Sequence, residues 1–176
     1  FATGHMLYGR LAGGLAALVL ATCAFGYGLS RVAMVDMPVS LFMTACAACF
    51  LAARHSYGRE RRNLYLLTYA ASALAVLSKG LIGIAIPGMI IGAWIAATKN
   101  WRLLREVRLI PGLSILLIIA LPWHMLMMRA HPAFFDFYII HEHFQRFLTD
   151  EAKRDKPWWF GIDITLAGLL PWTGIL

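Results

Sequence analysis

Residues 63–99 read NLYLLTYAASALAVLSKGLIGIAIPGMIIGAWIAATK, and between Asn63 and the closing Lys99 the stretch holds a single charge, Lys79. A helix needs about 20 apolar residues, with about 17 as a lower limit, to cross the ~30 Å hydrocarbon core of a bilayer. Two apolar runs, of 16 and 19 residues, meet at Ser-Lys-Gly and predict a tight membrane hairpin with Lys79 at its tip and a turn eased by Gly80 and Gly83. Burying a charge at depth costs about 2.5–3.5 kcal/mol on insertion scales, so the lysine needs a reason to be there.

Further apolar runs flank this pair. Leu11–Ser30, Met37–Ala53 and Leu109–Met128 carry no charge, and a last run begins near Pro157, interrupted by Asp163. The chain is 60% hydrophobic and 14% charged, with a mean hydropathy of +0.68. A soluble domain is nearer half apolar and a quarter charged. The reading is an all-α, polytopic transmembrane protein with about six membrane runs. Residue 1 is Phe, and no charged segment leads into an apolar stretch as in a signal peptide. The sequence is therefore expected to be an internal piece of a larger protein, residues 1–176 forming part of one transmembrane domain.

The net charge of +7 might suggest a polyanionic partner, but its placement argues against nucleic acid. Arg10, the loop with Arg54, Arg59, Arg61 and Arg62, and the loop with Lys99, Arg102, Arg105 and Arg108 are opposed by Glu60 and Glu106 alone. These segments carry the whole excess. Basic residues gather in short cytoplasmic loops, so the charge reports orientation. With both basic loops inside, alternation of the spans puts Asp36, Lys79 and the segment 129–157 at one outer face. Cys46 and Cys49 have C-x-x-C spacing inside an apolar run, where packing explains them better than redox or zinc chemistry.

The outer segment contains FFDFYIIHEHFQRF, residues 134–147. Its apolar spacing from Phe134 to Leu148 predicts an amphipathic helix lying in the interface, with Tyr138, Trp158 and Trp159 at headgroup level. Glu142 and Arg146, four apart, can pair on its surface. His141 and His143, two apart on a helix, point about 200° from one another and are poorly spaced to share a metal. One reading of Lys79 is snorkelling to the headgroups. The other is anion recognition: lysine offers a point charge and arginine a planar fork, the usual means of holding phosphate. Lys79 and Arg146 at one interface would hold a lipid phosphate, with His141 donating a hydrogen bond or a proton. Clamping that charge makes the phosphate a better leaving group.

The series SRVAMVDMPVSLF, LSKGLIG, LPWHMLM, FFDFYIIHEHFQRF and KPWWFGIDITLAGLLPWT resembles, in that order, the glycosyltransferases that use polyprenyl-phosphate sugars. These are the protein O-mannosyltransferase-like family, with the C-type glycosyltransferase architecture. The resemblance covers residues 30–173 and points to the bacterial branch that modifies lipid A with aminoarabinose. It implies an enzyme that moves 4-amino-4-deoxy-L-arabinose from an undecaprenyl-phosphate-linked donor to lipid A phosphates. It also implies a multi-pass protein of the bacterial inner membrane, with its active site facing the periplasm. By the same resemblance Lys79 and Arg146 contact the donor phosphate, Asp36 is an active-site carboxylate, and His141 lies in the site, with a divalent metal such as zinc as a candidate ligand partner. Glu142 and His143 belong with the substrate-binding residues. The family's first outer acidic loop and its C-terminal soluble domain are expected outside this sequence. Asp36 precedes Met37-Pro38 and can equally favour the start of a helix.

Three alternatives stand beside this reading. A related transferase would use the same donor class with another glycan, lipid or protein acceptor. A secondary transporter would want ionisable groups near the midplane of broken helices, often in repeated halves. A non-catalytic scaffold would explain the spans but not the gathering of charge at one face.

Overall fold

A computed structural model of the chain describes residues 1–32, 34–138, 157 and 159–175. The described residues are helical and contain no strand. In chain order the helices are α1 (Ala2–Thr22), α2 (Ala24–Arg31), α3 (Asp36–His55), α4 (Gly58–Lys79), α5 (Ile82–Thr98), α6 (Leu103–Glu106), α7 (Leu109–Ala130) and α8 (Phe160–Gly168), followed by a 3-10 turn at Trp172–Gly174. They fall into two compact units, residues 1–37 with 153–176, and residues 38–152.

In the first unit the predicted span Leu11–Ser30 is broken. Cys23 leaves the helical region (ψ 152°) between α1 and α2, and its thiol accepts from the Gly26 N–H at 3.2 Å. α1 is itself kinked at Gly9 (φ 87°), and its two halves approach so closely that a Cβ on Gly13 would lie 2.8 Å from the His5 nitrogen. By length and composition α1 could cross a membrane, but the kink divides it. At 1.5 Å per residue neither part reaches across the hydrocarbon core as a straight rod. The last apolar run is similarly short as a helix, α8, before the chain turns at Pro171 and Trp172. Trp172 Nε1 donates to Thr22 Oγ1 at 2.8 Å, and the Ala24 N–H donates to the Leu170 carbonyl at 2.9 Å.

The second unit follows the predicted spans closely. α3 and α7 are long and apolar enough to span a bilayer, and α5 is a shorter apolar helix. α4 begins in the first basic loop and ends on Lys79. Pro87 and Pro122 lie within α5 and α7, as membrane helices tolerate where neighbours re-satisfy the backbone. The buried cluster lies at the basic-loop end, where Phe50, Ala53, Tyr65, Ile95, Leu103 and Val107 meet. Trp94 packs edge-on against Phe50 at 5.9 Å between centroids, and the Arg54 guanidinium lies over the same indole. Away from that end α4 buries Ala71, Ser72, Ala73, Ala75 and Val76. Small residues let membrane helices approach, because lipid offers no hydrophobic gain for bringing them together. Large apolar side chains such as Ile110, Ile118 and Leu126 on α7 stay outward. This is the surface of a membrane protein.

Candidate functional site

The hairpin of α4 and α5 sets the position of Lys79. α4 ends because Gly80 adopts φ 82° and ψ −154°, a conformation essentially reserved for glycine, while its N–H still bonds the Val76 carbonyl at 2.7 Å. The Gly83 N–H then closes the turn onto the Gly80 carbonyl at 2.9 Å. α5 returns against α4 with no room to spare. A Cβ on Gly83 would stand 2.4 Å from both Ala75 C and Val76 N, and the buried Ser72 hydroxyl donates to the Gly83 carbonyl at 2.9 Å. Lys79 is thus an exposed cation at the C-terminal end of a helix, where positive charge is favoured, on a turn locked by two glycines.

The second unit also shows what stands level with it. Tyr65 clusters with Val107, and Tyr69 covers Gly112, so α4 and α7 advance in the same direction. Lys79 lies about 15 Å of helix rise beyond Tyr69, and His124 about 18 Å beyond Gly112. The two residues therefore share a level, at the end remote from the basic loops. His124 sits in an aromatic group that the sequence reading did not single out. Its ring is 4.9 Å from Trp123, edge-on, and 5.5 Å from Tyr138, while Phe134 stacks on Tyr138 at 4.9 Å and 14°. Its Nδ1 lies 2.8 Å from the Ala120 carbonyl. A carbonyl can only accept, so Nδ1 carries a proton and donates it to this bond. Partial burial pushes the Tyr138 hydroxyl above its ordinary pKa and keeps it protonated. The sequence signal for this platform was Trp-His near the end of one span followed by the aromatic run at 134–138.

Of the predicted site residues, Lys79 is placed as described. Asp36 is half-buried and is the first residue of α3, where a carboxylate complements the positive end of the helix dipole. It belongs to the first unit and Lys79 to the second, and each is placed within its own. His141, Glu142, His143 and Arg146 lie outside the described residues, as does the predicted interfacial helix beyond Tyr138. Among the described residues no three His, Cys, Asp or Glu side chains gather as metal ligands. Cys46 and Cys49 are free thiols within α3. The described residues therefore do not form a metal centre.

Lys79 and the aromatic platform thus stand at one level of the unit, and comparison with known proteins identifies relatives of the chain. The chain is 30% identical over 92% of its length to an undecaprenyl phosphate-alpha-4-amino-4-deoxy-L-arabinose arabinosyl transferase of Enterobacter sp. (strain 638). It is 32% identical over 92% of its length to the protein of the same name from Edwardsiella ictaluri. In each case it spans 29% of the relative's length. A crystal structure of ArnT from Cupriavidus metallidurans bound to undecaprenyl phosphate superposes with a TM-score of 0.88 at 28% identity, over 99% of this chain and 32% of that one. The dolichyl-phosphate-mannose-protein mannosyltransferase profile matches residues 1–138, and the chain belongs to that family.

Proposed function

We propose that this chain is part of an integral-membrane glycosyltransferase that moves 4-amino-4-deoxy-L-arabinose from undecaprenyl phosphate to a phosphate of lipid A, at the periplasmic face of a bacterial inner membrane. The observation that carries the reading is Lys79, fixed by a glycine-locked turn at the end of the bundle away from the basic loops. Those loops are the cytoplasmic side by charge bias, which makes the lysine end periplasmic. Support for donor and sugar comes from relatives that carry this activity in their names and from the ArnT structure bound to undecaprenyl phosphate.

In the proposed reaction an oxygen of the acceptor phosphate attacks the anomeric carbon of the donor sugar. The bond from that carbon to the undecaprenyl phosphate oxygen breaks, and its electron pair leaves with the phosphate. Lys79 holds that phosphate, together with Arg146 as its planar partner, and stabilises the growing negative charge. A phosphomonoester acceptor is largely ionised at pH 7, so little base catalysis is required of the protein. Asp36 is proposed as a carboxylate of the site and His141, with Glu142 and His143, as substrate contacts. A divalent metal on His141 stays a proposal for that same segment.

The reading is tested by mass spectrometry of lipid A from cells with the intact gene and from cells lacking it. An added aminopentose mass that vanishes on deletion and returns on complementation is expected. Unchanged lipid A, with a different glycan losing a sugar, would transfer the assignment to a related transferase with another acceptor.

A further inference from the structure

A second polar site lies at the opposite end of the same unit, and it does not depend on the transferase reading. Between the first turns of α4 and the short helix α6 is a cavity of about 270 Å³, walled by Arg61, Arg62, Tyr65, Arg105, Glu106 and Arg108. Four arginines against one glutamate leave it at net +3. Arg61 pairs with Glu106, which ties α4 to α6 and leaves three cations at the wall. Beneath them Tyr65 is 1% exposed, and its buried hydroxyl accepts from the Arg61 side chain, while nothing among the described residues accepts the phenol proton in turn. A buried donor left unmade is costly, so the phenol proton calls for an acceptor. An anion seated in the cavity supplies one. The volume is several times the roughly 30 Å³ share of a water molecule, which suits a phosphate ester better than a bare halide.

The neighbourhood narrows the source. Leu104, Val107 and Leu109 alternate in sequence with the arginines and line a separate apolar cavity of about 260 Å³, shared with Thr68, Ile91 and Leu113. A cationic recess beside an apolar one is the form that an amphiphile fills. Basic pockets between membrane helices are recurrent sites for anionic lipid headgroups. We propose that the α4–α6 cavity is a phosphate site, and that its occupant is the headgroup of an anionic phospholipid in the leaflet of the basic loops.

The test is native mass spectrometry of the purified, delipidated protein with phosphatidylglycerol, phosphatidylcholine or inorganic phosphate. One copy of phosphatidylglycerol is expected to survive activation that strips phosphatidylcholine. Arg62→Gln with Arg105→Gln removes two exposed wall cations and is expected to weaken that copy about tenfold or more. Arg59→Gln with Arg102→Gln removes the same charge from the same loops outside the cavity and is expected to leave it in place. Tyr65→Phe keeps the ring in the core and is expected to weaken retention a few-fold. Equal loss in both double variants would reduce the effect to general surface attraction and overturn the site. Displacement of the lipid by millimolar inorganic phosphate would overturn the lipid assignment in favour of free phosphate.

Discussion

Lys79→Ala is expected to lower sugar transfer by about 10²–10³-fold while the protein inserts and folds as before. Removing one positioned donor from an oxyanion-type site typically costs that much. The folding expectation rests on where the side chain is: it is exposed, at the last residue of α4, and the turn beyond it is held by the backbones of Val76, Gly80 and Gly83. Lys79→Arg keeps the charge but replaces a compact ammonium with a longer fork, so partial activity is expected. The assay is transfer from undecaprenyl-phosphate aminoarabinose to lipid A in detergent, with thermal melting as the fold control. Activity within a few-fold of the parent would reduce Lys79 to a snorkelling residue.

Gly83→Val is expected to have the other large effect, on stability and, through it, on activity. The first added carbon would already meet the α4 backbone at 2.4 Å, and backbone cannot rotate away as a side chain can. Overpacking costs about 1–3 kcal/mol and occasionally more. Here it also separates the Ser72 hydroxyl from the Gly83 carbonyl, a buried hydrogen bond. The variant should melt well below the parent and lose much of its yield in the membrane. Gly88, which has open space where its side chain would be, is the control: Gly88→Val should be tolerated at that site. Equal melting of the two variants would mean that the close packing of α4 on α5 does not hold the hairpin.

The hairpin was legible because a charge and two glycines interrupt an otherwise unbroken apolar stretch. Met37–Ala53, Asn63–Ser78, Gly80–Thr98 and Leu109–Met128 correspond to α3, α4, α5 and α7 with small shifts at their ends. Leu11–Ser30 was not legible as a broken element, since an apolar run shows length without showing caps. Its interruption is made by Cys23, whose thiol can pass for one more packing residue in sequence. The kink at Gly9 lies outside the apolar runs. Of the site, Lys79 stood out by its cost in lipid. His124 did not, because its significance lies in rings brought from residues 134 and 138, beyond the end of its own helix. The arginines at the basic end are legible in sequence as orientation alone, for charge bias says where a loop lies and nothing about the recess it builds with Tyr65.

Lys79 is proposed to grip the phosphate of the lipid carrier. The most direct test is a titration of the purified protein and its Lys79→Gln variant with undecaprenyl phosphate, followed by the 31P resonance of the ligand. Saturable binding to the parent is expected, with a shifted resonance, and affinity at least about tenfold weaker in the variant, in keeping with the loss of one charge-assisted contact. Identical affinity and an identical shifted resonance in both proteins would contradict it.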